Sequence, residues 1–114
     1  MRDVFSTREW YTIPQAAAEL GVSTGRVSTL IEDKQLLSFR IEREPRIPQE
    51  FIKDGEPLAG LRGTLFLLGD AGLGAHDQMV WLLSVDETLG VAPLDALVQG
   101  RKTQVRHAVQ LLAI

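Results

Sequence analysis

The side chains whose type and spacing could do chemistry in this sequence are hydroxyls and guanidinium groups. Ser23, Thr24, Ser28 and Thr29 surround Arg26, and Arg40, Arg43 and Arg46 follow at intervals of three. A guanidinium can span O6 and N7 of guanine, and hydroxyls can bond bases or phosphates, so the set points to contacts with double-stranded DNA. The plainer alternative is that Ser23 caps a helix and the other hydroxyls belong to a solvated face. No comparable set points to catalysis or metal binding. There is no cysteine, and His76 and His107 lie far apart with no second ligand at helical spacing. Gly69-Asp70-Ala71-Gly72-Leu73-Gly74 lacks a preceding strand, a following Lys-Ser/Thr and dinucleotide glycine spacing, which makes it an interhelical turn. With no nucleophile–base pair, the chain is expected to be no enzyme and to need no cofactor or metal.

These groups need elements to hold them. Thr12 can cap a helix, with Gln15 completing a capping box and Pro14 tolerated in the first turn. Ile13, Ala16, Ala17 and Leu20 then recur at helical spacing, and Gly21 ends the helix as a left-handed residue. Ser23 caps a second helix whose Val27, Leu30 and Ile31 form an apolar stripe. The opposite face carries Gly25 and Thr29, flanked by Arg26 and Ser28, while Glu32 and Asp33 fall at the far end. Two short helices with a Gly-containing turn form a helix-turn-helix, in which the N-terminal part of the second helix enters the major groove. Leu37, Phe39 and Ile41 then alternate with Ser38, Arg40 and Glu42, as in a half-buried strand. Glu42-Arg43-Glu44-Pro45 reads as a turn, Arg46-Ile47 as a return strand, and Pro48 as the start of a helix with Gln49, Glu50 and Phe51. A hairpin directly after such a helix is a wing. Residues 1–11 read as a polar lead-in whose Trp10 and Tyr11 pack on the first helix.

Lys53-Asp54-Gly55-Glu56-Pro57 reads as a linker-like break. Beyond it Leu58, Leu61, Leu65 and Leu68 share one side of a helix, widened by Phe66 and Leu67, with Gly60 and Gly63 inside. His76 and Asp77 begin the next helix, which runs through Ser84. A turn closed by Gly90, a short helix from Pro93 to Val98, a break at Gly100 and a last helix complete the chain. Val105, Ala108, Val109 and Leu112 make that helix amphipathic. Its Arg101, Lys102 and Arg106 are either a solvated face or an auxiliary phosphate contact. Leu111-Leu112-Ala113-Ile114 is an apolar ending that would suit a protein partner, self-association or the chain's own core.

The residues from Thr12 to Asp33, with Arg46-Ile47-Pro48 leading into Gln49-Glu50-Phe51, resemble the winged helix-turn-helix of the MerR and excisionase type. The Trp81-Leu82, Leu89-Gly90, Pro93-Leu94, Leu97 and Gly100 positions resemble the C-terminal domain of Xre/MbcA/ParS-type antitoxins, which binds a toxin. Val85 stands there in place of the usual proline, and Val91 in place of the second glycine of a Gly-Gly pair. The whole arrangement is similar to a family of small actinobacterial DNA-binding proteins.

Composition is compatible with this. The 45% apolar content and net charge of −3 describe a folded chain, and no apolar run approaches the ~20 residues of a membrane helix. The absence of cysteine and of an apolar N-terminal leader suits a cytoplasmic protein. Residues 1–53 hold eight Lys/Arg and eight Asp/Glu, so any cationic footprint is local, at Arg26 and the wing arginines. The expectation is a mainly helical protein: a winged helix-turn-helix with a small β-hairpin over 1–53, then a compact helical domain over 54–114. Its expected function is sequence-specific DNA binding and transcriptional regulation. The alternative is an antitoxin whose C-terminal domain binds a toxin.

Overall fold

A 3₁₀ turn over Val4–Thr7 leads into strand β1 (Trp10–Thr12) and helix α1 (Ile13–Leu20). The structure, a computed structural model, describes residues 4–112; Ala113 and Ile114 of the apolar ending lie outside the described residues. The capping box is complete: Thr12 Oγ1 accepts from Gln15 N–H at 3.3 Å, and Gln15 Oε1 accepts from Thr12 N–H at 2.9 Å. Gly21 closes α1 at φ 69°, and Ala16 and Ala17 are buried where helix α2 (Thr24–Glu32) crosses it. Small side chains permit that approach. Val27 and Leu30 of α2 are buried in return, while Ile31 is half-buried.

Strands β2 (Phe39–Ile41) and β3 (Glu44–Pro48) form the hairpin. The turn is tighter than the sequence suggests, consisting of Glu42 and Arg43 alone, with Glu44 and Pro45 already in β3 and Ile41 opposite Glu44. The lead-in is the larger correction. Rather than a plain lead-in, Trp10 and Tyr11 form β1, which contacts α1 and pairs antiparallel with β3 to give a three-stranded sheet in the order β1-β3-β2. Register puts Phe39, Arg46 and Thr12 on one sheet face and Tyr11 and Ile47 on the other. On the first face Phe5 stacks on Phe39 at 4.3 Å, and Trp10 Nε1 donates to the Phe5 carbonyl at 2.8 Å. Ile47 is fully buried on the second face.

The helix expected from Pro48 is a single 3₁₀ turn, Gln49–Phe51, which drives Phe51 into the core, with Pro48 both the end of β3 and the N-cap of the turn. The linker-like segment is a second hairpin of β4 (Ile52–Lys53) and β5 (Glu56–Pro57). Asp54 and Gly55 have φ 53° and 77°, the two left-handed residues of a tight hairpin turn, for which Asp-Gly is a preferred pair. The chain divides into two compact units, residues 1–58 and 59–114.

The second unit contains α3 (Leu61–Asp70), α4 (Ala75–Leu83), α5 (Pro93–Val98) and α6 (Lys102–Leu112). Leu61, Leu65, Leu68, Met79, Leu82, Leu94, Leu97 and Val105 form its core. Phe66 does not widen the α3 stripe: it is 46% exposed, with the Arg62 guanidinium 4.9 Å from its ring centre. Leu112 is likewise outside the α6 stripe, at 44% exposed, whereas Val105, Ala108 and Val109 are buried. Gly69–Gly74 is the α3–α4 connection. Asp86 shapes the turn before α5, its carboxylate accepting from Thr88 N–H and Leu89 N–H, while its own N–H donates to Val91. Arg101 belongs to neither alternative offered for it, because it donates to the Leu89 carbonyl and the Gln99 side chain, both at 3.1 Å. Lys102 and Arg106 are exposed.

Candidate nucleic-acid interface

The exposed face of α2 comprises Thr24, Gly25, Arg26, Ser28 and Thr29, each held outward because Val27 and Leu30 anchor the other side. Ser23 is itself exposed and its hydroxyl is engaged as the N-cap, accepting from Arg26 N–H at 3.1 Å. Ser28 and Thr29 donate back to the carbonyls of Thr24 and Gly25, at 3.4 and 3.2 Å, a habit of helical hydroxyls that leaves their lone pairs facing outward. Among the described residues the Arg26 guanidinium has no hydrogen-bond or ion-pair partner. No acidic residue occupies the first turn of α2, so its positive end is unopposed. Glu32 and Asp33 sit at the opposite end of the helix, where Asp33 accepts from the Gln35 side chain at 2.7 Å. This end of α2 can donate from Arg26, accept at three hydroxyls and present a bare backbone at Gly25.

The three wing arginines are in different situations. Arg43 stands at the tip of the β2–β3 turn, its guanidinium unpaired among the described residues. Arg40 is exposed, but its Nη1 donates to the Arg43 carbonyl at 2.7 Å. Arg46 lies in the middle strand between Thr12 and Phe39, its side chain 28% exposed and 3.6 Å from Glu44. Its Nε is buried without a partner beside Phe5, Arg8 and Trp10, in a cleft of about 440 Å³ on the outer sheet face. The structure therefore gathers Ser23 to Thr29 on one helix and Arg40 with Arg43 at one hairpin tip, and sets Arg46 apart beneath the N-terminal segment.

The sequence gives residues 1–11 as a lead-in against α1 but not the strand within it or its pairing with β3. Arg8 bridges to Glu50 at 2.9 Å, tying the segment before β1 to the turn after β3. The signal that could have found the strand is the aromatic and β-branched run Trp10-Tyr11-Thr12, which has high strand preference. Among the described residues no three His, Cys, Asp or Glu side chains gather as metal ligands, and no helix is long and apolar enough to cross a membrane.

A capped helix pair with a left-handed glycine turn, followed by a β-hairpin and backed by a third strand, is a winged helix-turn-helix. Residues 1–52 match the family model described as "DNA-binding protein Rv2175c, wHTH domain", and residues 58–113 match "Rv2175c C-terminal domain of unknown function". The chain belongs to the Rv2175c family. It is 30% identical over 104 residues to the DNA-binding protein Rv2175c of Mycobacterium tuberculosis (strain ATCC 25618 / H37Rv), across 88% of this chain and 71% of that one. The NMR structure of Rv2175c superposes with a TM-score of 0.85 at 27% identity, over 94% of this chain and 82% of the other.

Proposed function

We propose that this protein binds double-stranded DNA in a sequence-specific manner and acts as a cytoplasmic transcriptional regulator. The N-terminal part of α2 enters the major groove and the β2–β3 wing lies against the backbone. The observation that carries this reading is the unpaired Arg26 on the exposed face of a capped, acid-free helix start. Family membership supports it, since the mycobacterial relative is named for DNA binding. The test is selection of bound duplexes from a random pool, followed by titration of the selected site with Arg26→Ala. A bidentate contact to guanine predicts a loss of about 1–3 kcal/mol on the selected site. An Arg26→Ala protein that binds the selected duplex as tightly as wild type would remove α2 from the readout.

A second reading, in which the helical unit sequesters a toxin, is favoured by the exposure of Leu111 and Leu112, at 43% and 44%. On that reading co-expression neutralises a toxin encoded by an adjacent gene, and Leu111→Lys with Leu112→Lys abolishes the protection while DNA binding persists.

A further inference from the structure

The wing turn contains a conformational problem. Glu42 and Arg43 both have positive φ, 54° and 70°. A two-residue hairpin turn with two left-handed residues suits Asn-Gly or Asp-Gly, because the missing or short polar side chain avoids the clash of Cβ with the backbone. Neither Glu nor Arg has that advantage. The second hairpin of the same unit solves the identical geometry with Asp54 and Gly55. The wing turn instead has a side-chain brace: Arg40, two residues before the turn, donates through Nη1 to the Arg43 carbonyl at 2.7 Å. A charged donor on a backbone carbonyl is among the stronger hydrogen bonds.

We propose that Arg40 is a positioning residue, holding the strained turn in shape so that Arg43 projects toward the DNA backbone, rather than a DNA contact in its own right. The proposal rests on the DNA-binding reading above. Strain of this kind persists where the surroundings over-determine it, and functional tips are where it gathers. Arg40 is attached to the main chain of Arg43, so it acts on the direction of that residue whatever side chain follows. Glu42 is exposed, its side chain has no hydrogen bond or ion pair among the described residues, and its positive φ supplies part of the strain.

A brace and a phosphate contact differ in how their loss combines with other changes. On a random-sequence duplex, which reads backbone contacts alone, Arg40→Ala should weaken binding about three- to tenfold. Glu42→Asp keeps the charge and gives the turn a residue that tolerates the left-handed region. Adding it to Arg40→Ala should restore most of the affinity, although no cation has been returned. In an Arg43→Ala background, Arg40→Ala should have almost no further effect, since there is no longer a side chain to aim. Full additivity of the Arg40 and Arg43 substitutions, failure of Glu42→Asp to rescue, or an Arg40→Ala protein indistinguishable from wild type each overturns the brace. Circular dichroism melts of all variants separate loss of aim from loss of fold. Wild-type protein that binds no duplex at all would overturn the DNA-binding reading instead, a different result from any of these.

Discussion

Gly60 and Gly63 lie three residues apart, yet a methyl group would meet opposite circumstances at the two positions. At Gly60, where φ is 88°, an added Cβ would lie 3.0 Å from Leu97 Cδ2 and 3.1 Å from Lys102 Cβ. At Gly63, inside α3 with helical backbone, nothing lies within 4 Å. Gly60→Ala should therefore destabilise the protein by at least about 1–2 kcal/mol from the left-handed backbone alone. Gly63→Ala should stabilise it by about 0.5–1 kcal/mol. Thermal melts of the two single variants check the sign directly, and a shift in the same direction for both would contradict the placement of α3. Sequence alone shows two glycines in a leucine-rich helix. Which of them starts the helix and which is superfluous depends on Leu97 and Lys102, remote in the chain.

At the scale of elements, α2 is the helix whose phase matters. Val27→Asp buries an unpaired carboxylate against α1 and should unfold the N-terminal unit. Thr29→Asp sits on the exposed face and should leave the melt nearly unchanged while repelling DNA. Equal melting losses would put the helix in the wrong rotation. Helix α6 offers a comparable contrast, since Val109 is buried and Leu111 and Leu112 are exposed. Leu111→Ala with Leu112→Ala should leave the melting temperature within a few degrees, whereas Val109→Ala strips a core side chain and should lower it sharply. Both helices of the helix-turn-helix were legible because their signals are local: Thr12 with Gln15, Gly21, and Ser23 all act within a turn of their own position. The short α5 was legible for the same reason, with Pro93 starting it and Gly100 ending the connection after it. Strand β1 was not, because its partner β3 is more than thirty residues away and three residues carry little periodicity. Asp54-Gly55 was a legible turn signal that the surrounding charges disguised as a linker. The roles of Arg40, Arg46 and Arg101 were hidden too, because three arginines look alike until their acceptors are known.

For the whole molecule, the balance of charge sets how DNA binding responds to salt. Arg26 and Arg43 carry unpaired guanidiniums on the proposed interface, and acids are as numerous as bases over residues 1–53. Each phosphate neutralised contributes about −0.9 to the slope of log K against log salt, so a slope of about −2 to −4 is expected. A slope steeper than about −6 would require cations from outside the wing and α2. The central strand of the sheet also carries a consequence for how the molecule behaves when shortened. A fragment beginning at Thr12, the N-cap of the helix-turn-helix, would lack Trp10 and Tyr11 and turn β3 into an open edge. The freed amide and carbonyl groups around Ile47 would then be available to a strand from another copy. Such a fragment should form sheet-paired aggregates, even though every residue of the proposed DNA interface is still present.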